Sequence, residues 1–146
     1  MLTAIVEAPG RCRLDNCNIP VPGDEEIVIK LEGTGVCASD VNVWQGRPWF
    51  EYPHPPGRPG HESWGTIHSL GSSVSTVRVG DRVCSFSESA YAQYTLSSVN
   101  DVVRLPDELY GKPFPGEPLA CAINAFKRCD IHKEDSVAIV GAGFQG

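Results

Sequence analysis

The strongest constraint on the fold comes from residues 26–32, where apolar and polar side chains alternate. Ile27, Ile29 and Leu31 fall on one face, and Glu26, Val28, Lys30 and Glu32 fall on the other. A period of two predicts a half-buried β-strand whose apolar face is turned toward a core. Gly33 and Gly35 follow and permit a bend, so this strand delivers the chain to Cys37.

Further short apolar runs, separated by glycine and proline, predict a chain that is mainly β with short helices. The strands are expected at 2–7, 11–14, 64–70, 78–86, 89–96 and 102–105. A short helix is predicted at 41–45 with Ser39 or Asp40 as its N-cap, and a second helix at 119–129. Residues 47–60 contain five prolines and are predicted to be irregular, with Trp49 and Phe50 assigned to packing.

A strand-like run at 136–140 precedes Gly141, Gly143 and Gly146 in a G-x-G-x-x-G pattern. Such glycines give a tight turn and let backbone N–H groups approach a pyrophosphate, so this motif predicts the opening of a dinucleotide-binding unit. The helix and the charged residue that complete the motif fall after Gly146. We therefore expect residues 1–146 to be the N-terminal part of a longer protein. We also expect this part to have no catalytic activity by itself.

Metal-binding residue types occur at three places along the chain. Cys37 is followed by Ser39 and Asp40, His61 is adjacent to Glu62, and Glu117 lies further on. A thiolate, an imidazole and a carboxylate are typical of a catalytic zinc site, which keeps one position open for water or substrate. The alternatives are that Cys37 is a buried packing residue and that His61 is a hydrogen-bonded loop residue.

Composition excludes several classes of function. The chain has 12 Lys and Arg against 18 Asp and Glu, which gives a net charge of −6 and argues against a nucleic-acid-binding face. No stretch approaches the roughly 18 consecutive apolar residues of a membrane span, and the N-terminus does not begin like a signal peptide. We expect a cytoplasmic protein that binds neither nucleic acid nor membrane.

In their order, these motifs resemble the medium-chain dehydrogenase/reductase superfamily, in particular its zinc-dependent alcohol and polyol dehydrogenases. The resemblance rests on residues 35–40, 60–62, 80–83 and 117–119 and on the terminal glycine motif. It implies a GroES-like, partly open β-barrel as the catalytic domain over residues 1–117. Residues 118–146 would then be a linking helix followed by the first strand and glycine turn of a truncated Rossmann α/β domain.

The resemblance also implies the zinc ligands. Cys37 and His61 correspond to the first two ligands of the family. Glu62 is the neighbouring carboxylate, which enters the coordination shell in some members. Glu117 occupies the position of the third protein ligand. Whether Glu62, Glu117 or both bind the metal is open.

Three further roles are implied by position. Ser39 matches the hydroxyl that passes the substrate's proton toward solvent. Asp40 matches the carboxylate that orients the zinc-binding histidine. Cys121 falls where the family packs a side chain against the nicotinamide.

The sequence departs from the family pattern in three ways. Ala38 replaces a His or Arg that many members place near the cofactor pyrophosphate. The four-cysteine lobe that many members carry after residues 80–83 is missing, so we expect one catalytic zinc and no structural zinc. Ser63 and Trp64 stand where smaller residues are commoner and are expected to reshape the pocket.

The leading hypothesis is a zinc-dependent oxidoreductase that transfers hydride between an alcohol or polyol, or the matching carbonyl compound, and NAD or NADP. The alternatives are a zinc-free quinone or enoyl reductase of the same superfamily and a non-catalytic GroES-like binding module. The expected partner is a small-molecule alcohol or carbonyl substrate, and the full-length protein is expected to be a homodimer or homotetramer. Neither the particular substrate nor the choice between NAD and NADP follows from these residues.

Overall fold

The structure is a computed structural model that describes residues 1–141 and residue 143. Seven strands and two α-helices are present in this part of the chain. The strands are β1 (Leu2–Ala8), β2 (Arg11–Asn16), β3 (Glu26–Thr34), β4 (Glu62–Leu70), β5 (Arg82–Phe86), β6 (Tyr94–Ser98) and β7 (Val102–Arg104). The helices are α1 (Ala38–Gln45) and α2 (Gly116–Arg128), and two short 3₁₀ helices cover Val99–Asp101 and Asp107–Leu109.

The strands form two antiparallel sheets that curl toward each other. β1 and β2 make a hairpin, and the other five strands make a sheet in the order β6-β3-β4-β5-β7. An antiparallel bridge between Thr3 and Ala92 joins β1 to the segment that leads into β6. The result is a GroES-like half-barrel with two helices, which confirms the predicted fold class. No helix in the described part of the chain has the length and apolar content needed to cross a membrane.

The core lies inside the five-stranded sheet. Ile27, Ile29, Ile67 and Val83 form its buried cluster, and each is at most 1% exposed. The prediction that Val28 lies on a polar face is wrong, because Val28 is also fully buried. The face of β3 that carries Val28 is therefore covered at this point, whereas Lys30 on the same face is exposed.

Several predicted element boundaries are wrong. β5 begins at Arg82 because Gly80 takes a positive φ of 92° in a turn before it, and β6 begins only at Tyr94. α2 begins at Gly116, three residues before the predicted start, and therefore crosses the predicted domain boundary between residues 117 and 118. That boundary stays a prediction.

The predicted strand at 136–140 does not form. These residues are exposed, and Val140 is fully so. A strand is stable only against a hydrogen-bonding neighbour, and no described strand pairs with this run. Gly141 has a φ of 87°, and Gly141 and Gly143 are exposed, whereas Gly146 lies outside the described residues.

Candidate metal centre

Two neighbouring strands bring the metal-binding residue types to one edge of the sheet. β3 and β4 are antiparallel, and Thr34 at the end of β3 pairs with Ser63 near the start of β4. Cys37 follows β3 by three residues, while His61 precedes β4 and Glu62 is its first residue. Since the end of one antiparallel strand lies beside the start of its partner, the three side chains converge there.

The loop from β3 to Cys37 packs tightly against Glu62. The Gly35 N–H donates to the Glu62 carbonyl at 2.9 Å, which extends the strand pairing by one step. A Cβ at Gly35 would lie 2.0 Å from Oε2 of Glu62. A side chain at this position would force the Glu62 carboxylate out of its present place.

Cys37, His61 and Glu62 form a compact donor set. Their ligand atoms all lie within 4.8 Å of one another. Glu62 is buried, and the other two side chains are half-buried. Zinc bonds of 2.0–2.3 Å in tetrahedral geometry separate ligand atoms by about 3.3–3.8 Å, so only a small contraction is needed. The set fits a zinc ion with three protein ligands.

A buried carboxylate lies beside the imidazole of this set. Asp40 is 7% exposed, and its Oδ1 lies 3.4 Å from Nδ1 of His61. The same ring nitrogen lies 3.0 Å from the Pro59 carbonyl oxygen. Two acceptors at Nδ1 favour the tautomer that carries its proton there. Nε2 of His61 is then left with the lone pair that a metal needs.

The environment of His61 acts on its pKa in both directions. Burial alone lowers the pKa of His61. Hydrogen bonds to the Pro59 carbonyl and the Cys37 thiol, together with the negative charge of Asp40, outweigh that effect and raise it above its ordinary value. The net effect shows that the surroundings of His61 stabilise positive charge at this edge of the sheet.

The N-cap of α1 differs from the sequence prediction. Cys37 is the N-cap, and Ser39 and Asp40 lie inside the first turn. The helix begins early because the Cys37 N–H donates to Oδ2 of Asp40 at 3.1 Å, which satisfies a free backbone donor. Ser39 is exposed on this turn, two residues from Cys37.

Glu117 and Cys121 lie on one face of α2, which packs against β4 and β5. The Cys121 thiol donates to Oε1 of Glu117 at 2.9 Å. That hydrogen bond raises the pKa of Cys121, and the charges of Cys37 and Glu62 add to the effect. Among the described residues, Glu117 is not part of the three-donor set. The structure therefore places it near the set while its carboxylate is engaged with Cys121.

A cleft of about 360 Å³ opens beside His61. Its walls are mostly apolar, and the Phe86 ring lies 6.1 Å from the His61 ring. An Arg58–Glu88 ion pair lies at its edge. The residues that line the cleft include Val43, Phe50, Pro59, His61 and Phe86.

The sequence prediction missed residues that face this region. Phe50 lines the cleft instead of only packing, and Trp49 is 69% exposed. Tyr91 was not singled out, yet its hydroxyl donates to Oδ2 of Asp40 at 2.5 Å. The only signal for Phe50 was the aromatic content of an otherwise irregular segment, and Tyr91 gave none.

A curled antiparallel half-barrel with a cysteine, a histidine and a glutamate at one edge defines a GroES-like domain with a candidate metal centre. Residues 23–107 match the family described as "Alcohol dehydrogenase GroES-like domain", which covers more than half of the chain. The chain therefore belongs to this family, within the zinc-type medium-chain dehydrogenases/reductases.

Individual relatives agree with this assignment. The chain is 30% identical to sorbitol dehydrogenase of Ovis aries over 97% of its own length and 49% of the relative. It matches the crystal structure of galactitol-1-phosphate dehydrogenase from Escherichia coli with a TM-score of 0.72 at 22% identity, covering 87% of this chain and 44% of that one. A mycobacterial quinone oxidoreductase matches with a TM-score of 0.71 at 25% identity, covering 91% and 42%. The chain spans about half the length of the curated relatives it matches.

Proposed function

We propose that this chain is the catalytic domain of a zinc-dependent oxidoreductase that transfers hydride between an alcohol or polyol, or the matching carbonyl compound, and NAD or NADP. The observation that carries the proposal is the convergence of Cys37, His61 and Glu62 within 4.8 Å. The similarity to sorbitol dehydrogenase supports the alcohol or polyol as substrate class.

We assign the metal ligands to Cys37, His61 and Glu62. Glu62 is preferred over Glu117 as third protein ligand because it lies within the donor set, whereas Glu117 is hydrogen-bonded to Cys121. When bound, zinc supplies Lewis acidity, which makes an alcohol a stronger acid and a carbonyl a better hydride acceptor.

The protein's own groups hold and move the proton. Asp40 keeps Nδ1 of His61 protonated and thereby fixes the ring. Ser39 is exposed beside the centre, so its hydroxyl is suited to accept the substrate's proton and pass it to water. The cleft beside His61 receives the body of the substrate and excludes water from it through its apolar walls.

The cofactor side of the proposal rests on other residues. Gly141, Gly143 and Gly146 are assigned to the pyrophosphate, and Cys121 to contact with the nicotinamide, which supplies the hydride acceptor or donor. Residues 1–117 form the catalytic domain in this proposal, and residues 118–146 begin the cofactor domain. The expected assembly of the full-length protein is a homodimer or homotetramer.

We propose one zinc per chain. The resemblance implies that many members of the family carry a four-cysteine lobe after residues 80–83, whereas residues 87–93 connect β5 to β6 here and contain no cysteine. Structural zinc sites need four ligands, commonly cysteines. This connection offers none.

The decisive experiment is elemental analysis of the full-length protein that carries these residues, purified with zinc present. About one zinc per chain, lost in Cys37→Ala and retained in a Cys12→Ala control on exposed β2, is the expected result. NAD- or NADP-dependent oxidation of a polyol by the same preparation then tests the reaction. Quinone reduction by a zinc-free protein would instead identify the zinc-free reductase.

A further inference from the structure

The ring of Tyr91 is held firmly between the hairpin and the loop that precedes His61. The Tyr91 N–H donates to the Gly57 carbonyl at 2.9 Å, and its carbonyl accepts from the Ala4 N–H at 2.8 Å. A Cβ at Gly60 would lie 2.9 Å from the Tyr91 ring, so this ring packs directly on the backbone next to His61. The position of the hydroxyl is therefore fixed by backbone on both sides.

The Tyr91 hydroxyl and the Cys37 N–H donate to the same oxygen of Asp40. Their distances to Oδ2 are 2.5 Å and 3.1 Å. The other oxygen, Oδ1, is buried, lies 3.4 Å from Nδ1 of His61, and has no hydrogen-bond partner in the described part of the chain. Because both donors bind Oδ2, Oδ1 of Asp40 remains available to the imidazole of His61.

We propose that Tyr91 is a positioning residue for the metal centre, whose hydroxyl fixes the Asp40 carboxylate and through it the His61 ring. This inference rests on the metal centre of the proposed function. Tyr91 is neither a member of the donor set nor the carboxylate beside it, and it lies 30 positions after His61 in the chain.

The burial of Asp40 explains why one hydroxyl matters. Little water reaches a carboxylate that is 7% exposed, so a lost protein donor is poorly replaced. The Tyr91 hydroxyl remains a donor across the working pH range, because burial and the nearby Asp40 carboxylate raise the pKa of Tyr91. Without the hydroxyl, the Asp40 carboxylate can rotate about its Cβ–Cγ bond and release Nδ1.

Tyr91→Phe separates positioning from packing, since phenylalanine keeps the ring and removes only the hydroxyl. Replacing a group that orients a metal ligand typically weakens metal binding 10- to 100-fold. Tyr91 lies one hydrogen bond further from the metal than such a group, because its hydroxyl contacts Asp40 and not His61. We expect zinc binding by the full-length protein to weaken about three- to tenfold, measured by competition with a chelator. Tyr94→Phe is the matched control, because Tyr94 packs against His68 and not against Asp40.

A double-mutant cycle tests the route of the effect. In an Asp40→Asn background, Tyr91→Phe should cause no further loss of zinc affinity, because the group that Tyr91 positions is already altered. Equal zinc affinity of Tyr91→Phe and the wild type would overturn the proposal, as would an undiminished loss in the Asp40→Asn background. A purely structural role would lower the melting temperature of the metal-free protein and leave zinc affinity unchanged.

An NMR measurement on the wild-type protein tests the proposal independently and does not depend on whether a variant folds. A hydroxyl proton donated to a buried carboxylate exchanges slowly and is visible by NMR. The Tyr91 hydroxyl signal should shift when zinc is added, because Asp40 connects it to His61. A signal that does not move on zinc binding contradicts the proposal. Absence of zinc binding by the wild type would instead overturn the proposed function itself, so the two failures are distinguishable.

Discussion

The side chain of Glu62 occupies the space that a Cβ at Gly35 would need. A Cβ at residue 35 would meet Oε2 of Glu62 at 2.0 Å and Cβ of Glu62 at 3.0 Å. The missing side chain at residue 35 leaves room for the Glu62 carboxylate beside Cys37 and His61. The glycine is a determinant of the donor geometry and not merely a flexible link between β3 and α1.

Gly35→Ala should therefore disturb the metal centre. The new methyl group must push Glu62 or the loop aside, with an expected cost of about 1–3 kcal/mol in stability. Zinc affinity should fall by at least tenfold, since one of the three ligands is displaced. Chelator competition and thermal unfolding measure the two effects. Val36→Ala, next to it and 75% exposed, is the control and should change neither.

Glu32 and Arg82 link β3 to β5 through a charged hydrogen bond. Nε of Arg82 donates to Oε2 of Glu32 at 2.8 Å, and this hydrogen bond lowers the pKa of Glu32. A carboxylate with a depressed pKa in the folded protein adds stability above its unfolded pKa, about 4.3. That contribution is lost as the pH falls through the folded pKa.

Glu32→Gln should consequently reduce the free energy of unfolding by about 0.5–1 kcal/mol at pH 7, a modest value because the Glu32 side chain is 37% exposed. The difference between the variant and the wild type should shrink at pH values below about 4. Urea unfolding at several pH values provides the measurement, with exposed Glu25→Gln as control. A difference independent of pH would contradict an ionic contribution.

Phe86 forms part of the cleft wall next to the His61 ring. Phe86→Ala in the full-length protein should raise KM for an alcohol substrate about three- to tenfold, because apolar contact with the substrate is lost. The zinc content should stay at the wild-type value. Val103→Ala on β7, which is 65% exposed, is the control. An unchanged KM would place the substrate outside this cleft.

Cys37, His61 and Glu62 were grouped by their ligand chemistry and by the resemblance to the family. The structure brings them together because Cys37 follows β3, and His61 and Glu62 lie at the start of its antiparallel partner β4. The contact between Tyr91 and Asp40 spans 51 positions and has no local pattern, which is why it was missed. Alternation likewise failed at Val28, because it assumes that one face of the strand is exposed.

Ser63, Ser85 and Ser87 form a buried cluster of hydroxyls beneath the metal centre. Ser63 pairs with Ser85 across β4 and β5, and their Oγ atoms lie 2.6 Å apart. The three residues are at most 4% exposed, so they have little access to water. Each hydroxyl therefore depends on its neighbours for hydrogen bonds.

Ser63→Ala should lower the free energy of unfolding by about 1–3 kcal/mol, because it leaves the buried Ser85 hydroxyl without its partner. Adding Ser85→Ala should cost much less than the same substitution in the wild type, since an unsatisfied group is removed. Denaturant unfolding of the two single variants and the double variant measures this coupling, with exposed Ser75→Ala as control. Strictly additive losses would mean that the two hydroxyls act independently.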